Sequence, residues 1–215
     1  RDVLGSRGLG DVYKRQGSAI YFMKHVLGNG SLLGLFSMMK MFPVIIALIF
    51  TPILVKKTGS MQKVNFWGYV ISDILGIFLI IFAMQKNLPM MLLFMFLKGT
   101  FAGTMSGTLN ALIAEISGYT YRTKGVHIDG MMFSCSSLGV KVGGGIGTAA
   151  VGWLLHAAGY AGKAATQTAA ATNMIFSMYI TIPVILGVVI TILLGLMKVE
   201  KENKRIDMER AEQAD

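Results

Sequence analysis

The sequence has few residues that could cross-link the chain or bind a metal. It contains a single cysteine, Cys135, so an internal disulfide is excluded. Its three histidines, His25, His127 and His156, lie far apart and do not give the ligand spacing that zinc sites use. We therefore expect no metal site and no bound cofactor.

Charged residues are also scarce. They make up 14% of the 215 residues, whereas soluble domains contain about 25%. With 53% hydrophobic residues and a mean hydropathy of +0.60, the composition is that of a membrane protein. The formal net charge is +9, but the basic residues form short clusters between apolar runs. That distribution is typical of membrane-protein loops, and we expect no nucleic-acid partner.

The first residues of the sequence differ in composition from the remainder. Residues 1–16 (RDVLGSRGLGDVYKRQ) are polar and basic, and they lack both an initiator Met and the apolar core of a signal peptide. We interpret residues 1–16 as a non-native leader. The native chain is then expected to begin within a helix near Gly17.

Five long apolar runs follow, and each has the roughly 20 residues that a helix needs to cross a bilayer. They cover residues 32–55, 64–83, 89–116, 131–156 and 174–197. A shorter apolar segment, 17–23, ends at a turn and resembles the last part of a further spanning helix. The sequence therefore predicts an all-α polytopic membrane protein with a transmembrane region at 17–197 and a charged tail at 198–215.

The basic residues indicate the orientation of these helices in the membrane. One set of connections holds Lys56, Lys57, Lys63, Arg122, Lys124, Lys198, Lys201, Lys204, Arg205 and Arg210, and the other holds Lys24, Lys86 and Lys163. By the positive-inside rule the first set is cytoplasmic, which predicts a multi-pass protein of the cell (inner or plasma) membrane with a cytoplasmic C-terminus. We expect the tail to be solvated and partly helical; contact with anionic lipid or a partner is the alternative.

The fourth apolar run contains a lysine near its centre. Lys141 lies among small residues in the segment SCSSLGVKVGGGIG, with Ser134 and Ser137 preceding it. An ammonium group at this depth costs roughly 2.5 to 3.5 kcal/mol on insertion scales, so it should face a wet cavity or a partner and not lipid. We therefore predict that Lys141, Ser137 and Ser134 line a cavity.

Other charged side chains occur in the first three long runs. Asp73 and Lys98 are predicted near the same depth as Lys141, where the three can meet. Such groups mark an ion or substrate path, or else form a static charge pair, and the sequence leaves both alternatives open. Lys40 lies closer to the outer surface, where its side chain can extend to water.

Glycine recurs at every fourth position over 99–107 and over 139–147. We interpret both rows as faces that let a neighbouring helix approach closely. In the first of these runs Ser106 and Asn110 supply further polar groups, and we predict that they line the same cavity as Lys141.

Two segments resemble a known family of transporters. They are Ile20–Met39, IYFMKHVLGNGSLLGLFSMM, and Glu115–Gly162, EISGYTYRTKGVHIDGMMFSCSSLGVKVGGGIGTAAVGWLLHAAGYAG. Both are similar to the glycoside-pentoside-hexuronide:cation symporters, the melibiose permease type of the major facilitator superfamily. The likeness extends from Gly17 to about Lys198.

The resemblance implies that the chain is the C-terminal half of a twelve-helix transporter, with five complete helices and a remnant. It implies secondary active transport of a sugar, glycoside or hexuronide by alternating access, with Lys141 and Ser137 lining the central cavity. The coupling cation, Na+ or H+, is then held mainly by the missing N-terminal half, which is expected to be a partner together with the sugar and the bilayer.

The same resemblance places a gate in the loop between the third and fourth long runs. Its residues here are Glu115, Tyr119, Arg122, His127 and Asp129. The chain departs from the family pattern at Gly118, Tyr121 and His127.

Two alternatives remain at this stage. One is a polytopic membrane protein that does not transport, and the other is a major facilitator with a non-sugar substrate. An enzyme is not expected, because no nucleophile, base and orienting group recur at workable spacing.

Overall fold

The structure, a computed structural model, describes residues 17–162, 164 and 166–212. The helices are α1 (Gly17–His25), α2 (Leu33–Thr58), α3 (Met61–Met84), α4 (Leu88–Ala102), α5 (Thr104–Lys124), α6 (Asp129–Ala157), α7 (Ala169–Phe176), α8 (Ile182–Leu196) and α9 (Val199–Glu212). A 3-10 turn, Gly30–Leu32, precedes α2, and a π-helical segment, Ser177–Thr181, joins α7 to α8. No strand occurs in this part of the chain.

The predicted all-α membrane fold is confirmed. Five helical stretches are long and apolar enough to cross a membrane, namely Gly30–Thr58, Met61–Met84, Leu88–Lys124, Asp129–Ala157 and Ala169–Glu212. Each overlaps one of the five apolar runs read from the sequence. The leader expected at 1–16 and the loop residue Lys163 lie outside the described residues.

The helix ends are marked by capping side chains and by glycines in a left-handed conformation. Ser60 and Asn87 cap α3 and α4, where their side chains accept hydrogen bonds from backbone amides of the first turn. Gly59 and Gly125 end α2 and α5 with φ of 64° and 69°, a left-handed conformation that glycine adopts without strain.

The first glycine row packs α4 and α5 closely against α2. A Cβ placed on Gly99 would lie 3.0 Å from Pro43 Cβ, and one on Gly103 would lie 2.7 Å from Ala47 Cβ. These distances are too short for ordinary carbon contacts, so any side chain there would force the helices apart. The interpretation of this row as a packing face therefore agrees with the structure.

An apolar cluster lies where α1 and α7 meet the π-helical segment. Phe22, Met23 and Ile175 are fully buried there. Tyr179 stacks on Phe22 with ring centroids 4.7 Å apart, and Lys40 Nζ lies 4.4 Å from the centre of the Tyr179 ring. The ammonium group of Lys40 therefore contacts an aromatic ring, and the residue is also exposed at the surface.

Helix α6 is much less covered than the other long helices. Its main contacts are with α5, α7 and α1. Leu155 is its one buried residue, and residues 137–149 are all exposed. Apart from the neighbouring residues and backbone of α6 itself, a Cβ on Gly139, Gly143 or Gly147 would have no atom of the described chain within 4 Å. The packing contact predicted for this second glycine row is therefore absent from the part of the chain that the structure describes.

Candidate functional site

The exposed middle of α6 holds the polar residues that the sequence singles out. A shallow cavity of about 420 Å³ is lined by Phe133, Ser134, Ser137, Leu138 and Lys141. Because residues three and four apart share one face of a helix, the two serines and the lysine point to the same side. The structure thus brings together three of the predicted cavity residues.

The other two predicted cavity residues lie on α5. Ser106 and Asn110 are exposed and one helical turn apart, but they do not line the cavity beside Lys141. Thr108 is one of three buried polar side chains of this helix, with Thr104 and Ser117. It accepts a hydrogen bond from Asn65 Nδ2 at 2.6 Å and donates one to Thr104 O at 3.1 Å. The bond from Asn65 links α3 to α5, whereas the bond to Thr104 lies within α5. The face with Ser106 and Asn110 is left open.

Asp73 on α3 and Lys98 on α4 both approach Gly187 on α8. Thr191 Oγ1 donates a hydrogen bond to Asp73 Oδ2 at 2.5 Å, and Lys98 Nζ donates one to Ser72 Oγ at 3.2 Å. A Cβ on Gly187 would lie 2.4 Å from Asp73 Oδ1 and 3.9 Å from Lys98 Nζ. No nitrogen–oxygen contact of 4.0 Å or less joins Asp73 to Lys98, so the two charges are neighbours and not a direct ion pair.

Two of the predicted gate residues bind the C-terminal helix. Arg122 makes a bidentate contact with Asp207, with Nε to Oδ1 at 2.8 Å and an Nη to Oδ2 at 2.9 Å. Asn203 Nδ2 donates to Glu115 O at 2.9 Å and to Glu115 Oε2 at 2.6 Å. Asn203 is only 3% exposed, so α9 packs one face against α5. The tail was expected to be solvated and partly helical; it is helical over Val199–Glu212 and mostly exposed, and Glu200 and Asn203 are its buried residues. Sequence composition did not indicate these contacts with distant segments.

The remaining gate residues stay near the turn between α5 and α6. The rings of His127 and Tyr121 stack with centroids 4.0 Å apart, and His127 Nδ1 lies 3.8 Å from Asp129 Oδ2. Tyr119 is half-buried, and its backbone oxygen accepts a hydrogen bond from Thr123 Oγ1 at 2.8 Å. The five predicted gate residues therefore divide into two groups and do not form a single cluster.

A further contact between α9 and the membrane helices centres on Glu200. Its Oε2 accepts hydrogen bonds from Ser60 Oγ at 3.0 Å and from the backbone nitrogen of Gln62 at 2.9 Å. Its Oε1 lies 3.2 Å from Lys204 Nζ. The carboxylate is 10% exposed and is balanced by the ammonium group and by the start of α3.

Comparison with known proteins identifies the family. The family model described as MFS/sugar transport protein matches residues 12–201. The chain belongs to the MFS/sugar transport protein family. The resemblance to the glycoside–cation symporters is thereby confirmed, the chain is a multi-pass membrane protein, and its relatives are transporters and not enzymes.

Curated relatives share about a quarter of their residues with this MFS-family chain. The isoprimeverose transporter of Lactiplantibacillus pentosus is 27% identical over 182 residues, which are 85% of this chain and 37% of that protein. The putative glycoside/cation symporter YagG of Escherichia coli K12 is 24% identical over 207 residues, 94% of this chain and 44% of the relative. An uncharacterized 29.9 kDa protein in the crtE 3' region of Pseudescherichia vulneris is 26% identical over 174 residues, 80% of this chain and 62% of the relative.

The MFS-family chain thus spans 37% to 62% of the length of these relatives. No solved structure matches it.

In this MFS-family chain the charged groups do not gather at one point. Lys141 lies on α6, whose main contacts are with helices other than those of Asp73 and Lys98. The proposed meeting of the three groups is not found. Asp73 is 9% exposed and tied to α8 through Thr191, which is the arrangement of a structural link between helices.

We expect Thr191→Val to destabilise the MFS-family chain, because it removes the hydrogen bond to Asp73 and keeps the shape of the side chain. A hydrogen bond to a charged group contributes about 1.5 to 3 kcal/mol, so the free energy of unfolding should fall by about that amount. Unfolding in mixed detergent micelles measures it. Thr191→Ser keeps the hydroxyl and should remain close to wild type; equal losses in both variants would contradict the role of the bond.

Proposed function

We propose that the chain forms the C-terminal half of a secondary transporter that moves a sugar, glycoside or hexuronide together with Na+ or H+ by alternating access. The observation that carries the proposal is the uncovered polar face of α6, where Lys141 lies with Ser134 and Ser137 on one side of a spanning helix. In major facilitators the substrate site lies near the midplane between two halves, and such a face is one wall of it.

The energetics of the membrane support a covering partner for this face. Lys141 lies thirteen residues into α6, a helix of 29 residues, so an ammonium group at that depth is costly in contact with lipid. Residues 137–149 are exposed along the same stretch. An N-terminal half placed against α6 would cover this stretch and enclose a wet cavity, and the coupling cation is proposed to bind mainly there.

The proposed substrate class follows from the donors on α6 and from the names of the relatives. An ammonium group and two hydroxyls on one face are suited to the hydroxyl groups of a sugar, because they donate hydrogen bonds and the hydroxyls also accept them. One relative is named as an isoprimeverose transporter and another as a putative glycoside/cation symporter. We therefore place glycosides first among the substrates.

We expect the chain alone to be inactive, because one wall cannot occlude a substrate. The measurement is counterflow of labelled isoprimeverose in liposomes, with the 215-residue chain alone and with a co-expressed N-terminal half recovered from the upstream reading frame. Uptake that saturates and depends on Na+ or H+ should appear only with both halves. Saturable, cation-dependent uptake by the chain alone would overturn the assignment as half of a transporter.

The proposed orientation places the loops with Lys57 and Lys124, together with α9, in the cytoplasm. We expect Lys57→Cys and Lys124→Cys, each in a Cys135→Ser background, to react with a membrane-impermeant thiol reagent only from the cytoplasmic side. Lys86→Cys and Lys163→Cys should react from the outside and serve as matched controls. Labelling of position 57 from the outside would reverse the proposed topology.

A further inference from the structure

A second cavity lies at the end of the bundle where α8 passes into α9. It has a volume of about 490 Å³, and its walls come from the start of α3, the end of α8 and the first turns of α9. Lys63, Lys198 and Lys201 line it on the polar side, and Phe66 and Leu194 line it on the apolar side. It belongs to different helices from the cavity beside Lys141. We call it the basic interfacial cavity.

Three of the four lysines that line the basic interfacial cavity carry charge that no carboxylate of the described residues balances. Glu200 and Lys204 also line the cavity, but they form an ion pair with each other, and the amide of Gln62 donates a further hydrogen bond to Glu200. Lys63, Lys198 and Lys201 have no ion pair among the residues that the structure describes. Three ammonium groups around one cavity therefore favour an anion there.

The apolar side of this cavity lies beside exposed apolar residues of α3 and α8. Gly195 keeps the space open, because a Cβ at this position would lie 3.1 Å from Phe66 Cε2. Trp67 and Leu193, which follow Phe66 and precede Leu194 in the sequence, are 61% and 58% exposed. Tryptophan is enriched where a spanning helix meets the headgroup layer, so the cavity lies at the depth where phosphate groups and acyl chains meet.

We propose that the basic interfacial cavity binds an anionic phospholipid. Lys63, Lys198 and Lys201 contact the headgroup phosphate, and an acyl chain follows the apolar wall at Phe66 and Leu194. Basic pockets between spanning helices at the membrane surface recognise anionic headgroups in this way, through charge at one end and apolar contact at the other. A free phosphate ion would use the lysines alone, and the apolar wall favours the lipid.

Binding is measured by native mass spectrometry of the 215-residue chain, released from nanodiscs that contain equal amounts of phosphatidylglycerol and phosphatidylcholine. We expect wild type to retain phosphatidylglycerol in preference to phosphatidylcholine. The triple variant K63Q/K198Q/K201Q should bind phosphatidylglycerol at least about tenfold more weakly, since each lysine near an anionic surface contributes to affinity. Circular dichroism confirms that the variant remains helical.

The matched control is K56Q/K57Q/K124Q, which removes the same charge from exposed lysines that do not line the cavity. It should keep wild-type retention of phosphatidylglycerol. Equal losses in the two triple variants, or equal retention of both lipids by wild type, would overturn the proposal. Displacement of bound phosphatidylglycerol by millimolar inorganic phosphate would also overturn it, in favour of a free anion. None of these results depends on sugar transport, so the proposal and the transport function fail separately.

Discussion

We expect Lys141→Met in the restored full-length transporter to lower cation-driven sugar uptake by roughly tenfold to 100-fold, the range for loss of a hydrogen bond from a charged group. Lys141 is the charged member of the exposed polar face of α6, and it lines the cavity there with Ser134 and Ser137. Methionine keeps the length of the side chain and removes the ammonium group. Uptake of labelled sugars into proteoliposomes, at matched protein density, is the measurement.

Two control variants, one at Lys141 and one at a distant lysine, show whether the loss of uptake comes from the cavity or from the change in net charge. Lys141→Arg retains the positive charge and should keep more uptake than Lys141→Met. Lys57→Met removes a charge from an exposed position at the end of α2 and should behave as wild type. Membrane insertion should be unchanged in all three variants. Wild-type uptake by Lys141→Met would remove this lysine from the transport mechanism.

The largest expected effect on stability belongs to Gly103→Leu. A Cβ at this position would lie 2.7 Å from Ala47 Cβ and 3.0 Å from Gly99 O, and neither atom is the end of a flexible side chain. Helices α2 and α5 would have to move apart, which typically costs 1 to 3 kcal/mol, and a leucine adds further atoms to the clash. We expect the free energy of unfolding in mixed micelles to fall by about 3 kcal/mol.

Gly143→Leu is the matched control for that measurement, because it makes the same change in the second glycine row. Apart from the neighbouring residues and backbone of α6 itself, a Cβ on Gly143 has no atom of the described chain within 4 Å, so the chain alone should lose no stability. Equal destabilisation by the two leucines would show that α6 packs against the other helices in solution. A smaller loss at Gly103 than at Gly143 would contradict the contact with α2.

The long helices were predictable because the bilayer imposes a length and an apolar composition that a single sequence displays directly. The two glycine rows show where such reasoning stops. Both have the same spacing, yet the row from Gly99 meets α2, and the row from Gly139 meets nothing in the described chain. Spacing identifies a face that permits close approach, but the partner is set by the fold.

For the candidate site, groupings within one helix were predictable from the sequence, but partners on other helices were not. The grouping of Lys141 with Ser134 and Ser137 follows from helical periodicity within one segment. The partner of Asp73 is Thr191, which lies 118 residues further along the chain, and no pattern within α3 indicates it. The only local signal was a glycine and a threonine, Gly187 and Thr191, one turn apart in an otherwise apolar helix.

The exposed middle of α6 also has a consequence for how the chain is made. The candidate spans that contain α6 and the following helices have mean hydropathies of 1.3 and 2.7, so the least apolar span of the five is followed by the most apolar. Because α6 has a lysine near its centre, it has a lower tendency to pass by itself from the translocon into the bilayer. We therefore infer that α6 and the following span insert together as a helical hairpin, because the more apolar second span favours insertion of both. Truncation of the chain after residue 157 is expected to leave α6 largely uninserted.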